Sequence, residues 1–324
     1  MEDSNIRNTS EQPAPATPPV VRHRQRWPNE EFRVICRPTL QPDPMWDRLT
    51  VPLRLAGADA MRPDGHGQLP RLAALATEAP WSRQLVGDVE RQLRAQVALG
   101  RPWINFDPLL LVGEPGAGKT WFARRLGAAL DLDSATLELG STSDDRMLSG
   151  TARGWSSAQP AWPLIVMADN HCANPLLILD ELDKAGGSQR SGHPHRALLA
   201  MLDRASSVAW HDQYLLTDCD LSHVNWIACA NDLSPIPRPL LSRFHVIEVP
   251  KLGADDFDAL LTSVIRETAK RWEVPVTMLP DLPVGAVTLL RDRFARHPSI
   301  RALARDTRAL LTAALADGHG PRRS

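Results

Sequence analysis

The stretch LLLVGEPGAGKT, residues 109–120, runs from branched apolar residues into a glycine-rich turn that ends on a lysine and a hydroxyl. It fits the pattern G-x-x-x-x-G-K-[ST], with Gly113, Gly118, Lys119 and Thr120 in place and Glu114, Pro115, Gly116 and Ala117 between them. Glycines in such a turn let backbone N–H groups face inward around phosphates at a helix N-terminus. Lys119 then reaches the β and γ phosphates of ATP, and the Thr120 hydroxyl is a ligand for Mg²⁺. A plain turn between strand and helix is the alternative reading of the same letters. The strand-like PLLLV before it and the helix-like KTWFARRLGAAL after it supply the context that phosphate binding requires.

Outward from this point, ATLEL, PLLILD, VNWIACA and FHVIEVP read as short apolar strands, alternating with helical stretches that include one over residues 195–205. The pattern predicts an α/β fold: a P-loop NTPase whose central parallel sheet is covered by helices on both faces. After Pro250 the strands stop. Phe257, Leu260, Leu261, Val264 and Ile265 recur at helical spacing, as do Ile300, Leu303, Ala304, Leu310 and Leu311, which predicts a small C-terminal helical lid. The division is residues 1–68 as a proline-rich, largely disordered arm and 69–251 as the α/β domain with a preceding helical segment. The lid follows over 252–318, with a tail at 319–324. Within the arm, FRVICRP and TVPLRLAG have the composition to add a strand or two.

The strand PLLILD ends on Asp180 and Glu181. A carboxylate at the tip of a strand beside the phosphate loop holds Mg²⁺ through water, and the next one acts as general base on the attacking water. The rival reading, a solvated strand end, loses weight after a phosphate loop and an apolar run; Asp183 and Lys184 read as structural. Asn231 ends the strand VNWIACA, where an amide either orients water against the γ phosphate or caps a turn. In PIPRPLLSRF, Arg243 is the candidate to enter a neighbouring subunit's nucleotide site, an effect worth roughly 10³–10⁵ in rate, while Arg238 reads as a surface residue. Arg301, Arg305 and Arg308 form a stripe that is either a solvated face or, through Arg301, a contact to the phosphates.

This ordered set resembles the AAA+ ATPases, and within them the ATPase module of Lon proteases. The passages that carry the resemblance are NPLLILDELDKA, LLAMLDRASSVAWHDQYLLTDCDLSHVNWIACAND and IPRPLLSRFHVIEVP, within a similar region from about Trp81 to Leu311. The resemblance implies that Asp180 and Glu181 are the Walker B pair, Asn231 sensor 1, Arg243 the arginine finger and Arg301 sensor 2, although Ser299 stands where the family usually has glycine. It also marks Trp155, in GTARGWSSAQPAWP, as the aromatic residue of a pore loop that grips polypeptide, with Ser156 in place of the apolar partner. Packing of Trp155 in the local core is the alternative, and SGHP at 191–194 would be the second pore loop. The implied protein is a homo-oligomeric ring, a hexamer, that hydrolyses ATP to remodel a polypeptide client, with a separate protease as a possible partner. The family's Ser–Lys protease domain and its large N-terminal region have no counterpart here, so intrinsic peptidase activity is not expected.

Composition narrows the partners. The formal net charge is -1, and no basic domain stands out, which argues against the rival of a clamp or helicase loader on nucleic acid. A slow nucleotide-dependent scaffold is the other rival. Cys36, Cys172, Cys219 and Cys229 lack CxxC spacing, and His193 and His195 lack companion ligands, so reduced thiols and no zinc site are expected. Neither a leader peptide nor an apolar run of about 18 residues is seen, which predicts a cytoplasmic protein without membrane contact.

Overall fold

In a computed structural model, the described residues are 31–32, 34–35, 44–51, 53–56, 68–99, 101, 103–141, 146–186 and 193–316. The chain enters through β1 (Glu31–Phe32), α1 (Pro44–Thr50) and β2 (Leu53–Arg54), with β1 antiparallel to β2 in the register Phe32↔Leu53. The sequence places this part in a largely disordered arm but allows FRVICRP and TVPLRLAG a strand or two, and short strands stand at or beside both. Val34, Leu49, Leu53 and Leu55 are buried in the same core as Leu110, Leu177 and Leu179. Arg54 clamps the segment by backbone bonds, its N–H donating to His171 O at 3.2 Å and its carbonyl accepting from Ala173 N at 2.8 Å. Enough apolar side chains fall at 34–55 to offset local ordering entropy once a larger core is there to receive them. The rest of the arm, and Cys36, lie outside the described residues.

Helices α2 (Gln68–Glu78) and α3 (Arg83–Ala98) are separated by a 3₁₀ turn that starts at Pro80, a residue that cannot donate to a continuing helix. α3 buries Leu85, Val86, Val89 and Leu93, one face of a 3.6-residue period. Then come β3 (Leu109–Val112), α4 (Lys119–Leu130), β4 (Ser134–Glu138), α5 (Arg146–Ser149), α6 (Trp162–Asn170) and β5 (Leu176–Asp180). α7 (Pro194–Leu202) and α8 (Arg204–Ser207) replace the single helix expected over 195–205, because Asp203 is extended between them. The hairpin β6 (Trp210–Asp212)–β7 (Thr217–Cys219) leads to β8 (Asn225–Ala230), α9 (Arg238–Leu241) and β9 (His245–Glu248).

The large sheet is parallel, with strand order β4-β5-β8-β3-β9. Its central strands are nearly continuous apolar runs because both faces are covered. Alternation along them feeds two cores: Leu110, Leu177 and Ala228 face one, Leu111, Ile178 and Ile227 the other. From β3 the chain crosses to the far edge at β4 and returns, whereas β9 joins β3 on its other side. That reversal beside β3 is the switch point where open α/β sheets bind ligands, at the carboxyl ends of the strands.

The lid consists of α10 (Phe257–Arg271), α11 (Val284–Arg296) and α12 (Ile300–Ala316) around Phe257, Leu260, Val264, Phe294, Ile300 and Leu303. No helix among the described residues is long and apolar enough to cross a membrane.

Leu49 tests the docking of the N-terminal segment. Leu49→Ala should lower unfolding free energy by about 2–5 kcal/mol in a denaturant titration, as for a buried leucine. A free arm would leave the transition unmoved.

Candidate functional site

β3 delivers the chain to Gly113, where an added Cβ would stand 2.5 Å from the carbonyl oxygen of Val249, so only glycine fits. Gly116 and Gly118 both have φ of +87°, the left-handed region that other residues avoid. The loop they shape ends at the N-terminus of α4, with unpaired N–H groups and the positive end of the helix dipole facing the same space. Lys119 begins α4 and folds back into the loop. Its Nζ donates to Gly113 O at 2.7 Å, Glu114 O at 3.0 Å and Asn231 Oδ1 at 3.0 Å. Desolvation pushes its pKa down, and the nearby Asp180 and Asp183 act against that shift.

One residue further, Thr120 Oγ1 donates to Asp180 Oδ2 at 2.7 Å, while Asp180 Oδ1 accepts from the Glu181 N–H at 3.0 Å. The hydroxyl and the carboxylate are hard oxygen donors on adjacent elements, as Mg²⁺ beside a triphosphate requires. Cys229 lies beneath them, its thiol pushed up to about 12 chiefly by burial, so it is a neutral, inert floor. Glu181 has φ of 57°, an uncommon conformation for a residue with a side chain and one that collects at functional sites. Its carboxylate makes an ion pair with Lys184 and packs so closely on Gly140 that a Cβ there would meet Oε2.

The cleft above these groups measures about 1230 Å³, ample for a nucleotide. Its far wall belongs to the lid, with Lys270 and Arg271 of α10 and Ile300, Arg301 and Arg308 of α12. Of the arginine stripe, Arg305 turns aside to Asp306. Pro115, Gly116, Gly118, Lys119, Thr120, Asp180, Glu181, Asn231 and Arg301 therefore converge, as their order in the chain foreshadows. Glu114 points its carboxylate to Lys251 at 3.0 Å, and Ala117 is buried, so these two shape the loop from behind. Sequence reasoning missed Gly140, Arg124 and, on the lid, Lys270 and Arg271; Lys184, read as structural, makes an ion pair with Glu181.

Two candidates stand apart from the cleft. β9 pairs parallel with β3 in the register Leu109↔His245 and Val112↔Glu248, so Arg243 precedes the strand end opposite the phosphate loop. A strand of this length rises roughly 10 Å, which keeps Arg243 from its own nucleotide site. It pairs instead with Asp203, Nη1 to Oδ1 at 2.9 Å. Trp155 is 67% exposed on a loop whose neck is closed by backbone bonds between Thr151 and Gln159, which removes the buried alternative. Arg153 stacks over the Tyr214 ring at 4.9 Å and ties this loop to the β6–β7 hairpin. Of the second loop, Ser191 and Gly192 lie outside the described residues, and His195 Nε2 is engaged at 3.0 Å with Leu182 O.

A phosphate loop at the switch point of this strand order, capped by a helical lid, defines a P-loop nucleotide-binding ATPase module. Residues 109–251 match the model of AAA, the ATPase family associated with various cellular activities. Lon protease homolog 2, peroxisomal, of Zea mays is 33% identical over 64% of this chain and 23% of its own length. Lon protease 1 of Syntrophotalea carbinolica is 34% identical over 67% and 27%, and the mitochondrial Lon protease homolog of Saccharomyces cerevisiae 30% over 67% and 19%. The chain thus carries a Lon-like AAA+ ATPase module, and it spans between about a fifth and about a quarter of the length of these relatives. A cryo-EM reconstruction of Hsp104 with ATPγS and FITC casein shares the fold, at a TM-score of 0.54 and 15% identity over 77% of this chain and 47% of that one. The match to that family implies nucleotide binding and, in general, ATP hydrolysis.

Gly140 gives the site a test of its own. Gly140→Ala displaces the Glu181 carboxylate, the far end of a flexible side chain, so stability should hardly change. ATP affinity should persist while turnover falls, as it should in Glu181→Gln, where the amide cannot accept the water's proton. Equilibrium ATP binding beside steady-state phosphate release on both variants checks this.

Proposed function

We propose that the chain is a ring-forming motor that hydrolyses ATP in this cleft and uses the lid movement to remodel polypeptide clients. The observation that carries it is the meeting of Lys119, Thr120, Asp180, Glu181 and Asn231, drawn from two strand ends and one helix start. Lys119 exchanges the loop carbonyls for β and γ phosphate oxygens, keeping its contact to Asn231, which orients the attacking water. Glu181 takes that water's proton once it leaves Lys184. Thr120 and Asp180 would hold Mg²⁺, which supplies charge neutralisation on the phosphate oxygens. Arg301 closes on the phosphates from the lid.

Arg243 lies too far from its own cleft to take part there, which supports action in a neighbouring subunit and hence a closed ring, in our reading a hexamer. Trp155 is held out from the body on a braced loop, as a residue that grips an unfolded chain must be. A separate protease is a partner in this reading, and among the described residues the buried thiols of Cys172, Cys219 and Cys229 suit a reducing cytoplasm.

Arg243→Ala should bind ATP normally yet hydrolyse it roughly 10³-fold more slowly. Mixed with Lys119→Ala subunits it should regain activity, because intact Arg243 from one variant completes the working loop of the other. Absence of recovery in rings shown to be mixed would count against action between subunits.

Trp155→Ala should leave melting temperature and basal ATPase near wild type, since little of the indole is packed. Stimulation of turnover by unfolded protein should disappear. An undisturbed response to such a client, measured on the same preparation, would remove Trp155 from the grip.

A further inference from the structure

We propose that Asp203 is the positioning residue that holds Arg243 ready for the neighbouring nucleotide, an inference that rests on Arg243 acting between subunits. The two oxygens of the Asp203 carboxylate have separate tasks. Oδ2 caps α8, accepting from Ser206 N at 3.1 Å and Ser206 Oγ at 2.9 Å, whereas Oδ1 faces Arg243 Nη1 at 2.9 Å. The cap fixes the carboxylate before the arginine arrives. Asp203 is further anchored through its backbone, its N–H donating to Leu199 O at 3.2 Å and its carbonyl accepting from Ser207 N at 2.8 Å.

The arginine end is equally fixed up to its Cα. α7 packs against α9, and Leu198 and Met201 share a core with Leu240 and Phe244 on either side of Arg243. Between these two platforms only the long Arg243 side chain is free to wander, and its side chain is 44% exposed. One ion pair removes most of that freedom. The hydrogen bonds from Ser206, with the Arg243 charge beside them, hold the Asp203 carboxyl below the usual carboxylate range, so it stays ionised at neutral pH. A guanidinium has five N–H donors in a rigid fork, and a contact through Nη1 leaves the rest of the fork to meet a phosphate. The pair at the surface is weak enough to yield when the stronger partner, a triphosphate, is presented.

The test exploits the divided carboxylate. Asparagine caps helices as well as aspartate does, so Asp203→Asn keeps α8 and removes only the charge opposite Arg243. In the full-length protein its kcat for ATP should drop about tenfold or more, with KM and melting temperature unchanged, as for a misplaced catalytic group. Ser206→Ala, which removes one of the two cap bonds and keeps the charge, should lower kcat less than Asp203→Asn does. In an Arg243→Ala background, Asp203→Asn should add nothing. Wild-type kcat in Asp203→Asn while Arg243→Ala is slow would overturn the positioning role and leave the finger standing. A fall in kcat matched by a fall in melting temperature, or one that persists undiminished without Arg243, would also overturn it by assigning Asp203 to the scaffold. Wild-type turnover in Arg243→Ala would instead sink the finger itself.

Discussion

The ammonium of Lys119 is the point on which the rest of the structure turns. It is buried, and a buried ammonium must be solvated by protein. Two loop carbonyls and the Asn231 amide do so, which fixes the positions of the loop after β3, the start of α4 and the end of β8 relative to one another. The contact to Asn231 requires β8 directly beside β3, and the register Val112↔Ala230 puts it there. The strand order is therefore a condition of the chemistry: Asp180 and Asn231 reach the loop because β5 and β8 return to β3 after the excursion to β4.

A second buried charge links this loop to the lid. Glu78, at the end of α2 and nearly inaccessible, takes Arg125 from α4, Arg266 at 3.3 Å and the Ser263 hydroxyl at 3.2 Å, the last two from α10. Trp121, also on α4, packs against both the sheet core and the lid core and donates to Glu267 at 3.2 Å. Stripped of both arginines, Glu78 would be an uncompensated buried charge, at a cost of about 3–5 kcal/mol. These contacts tie α2, α4 and α10 together, so the helix that starts at the phosphate loop and the lid are parts of one connected structure.

The sequence makes the strands and the phosphate loop legible because both are local. Leu109–Val112 and Leu176–Asp180 are apolar runs whose burial needs no knowledge of the partner strand. Gly113, Gly118 and Lys119 carry a spacing that few other structures demand. Asp180 and Asn231 are legible one step later, since a polar residue ending a buried strand has few places to be. What stayed hidden depends on contacts far apart in sequence or on bland letters. Nothing marks Gly140 until the Glu181 carboxylate is seen against it. Leu49 and Leu53 sit among prolines and polar residues, and the core that receives them is assembled from residues more than fifty positions away. Lys184 is the instructive case: it stands three residues after Glu181 in a 3₁₀ turn, where side chains i and i+3 eclipse, so the pairing could have been read from spacing alone.

On the proposed reading, the same geometry would leave the chain by itself catalytically unfinished. The parallel sheet has polarity, and everything that binds phosphate gathers at its carboxyl end. Arg243, fixed by the turn into β9, belongs to the opposite end, and no side-chain rotation carries it across the intervening strand. Glu181 meanwhile makes an ion pair with Lys184. On the proposed reading, an ATP molecule in an isolated subunit would meet a base paired to Lys184 and would lack the cation that stabilises the developing charge. A neighbouring subunit would supply that cation. In the proposed ring, hydrolysis would then be coupled to assembly by the layout of the fold, because the groups assigned to turnover would be shared between two copies while those assigned to binding are contained in one.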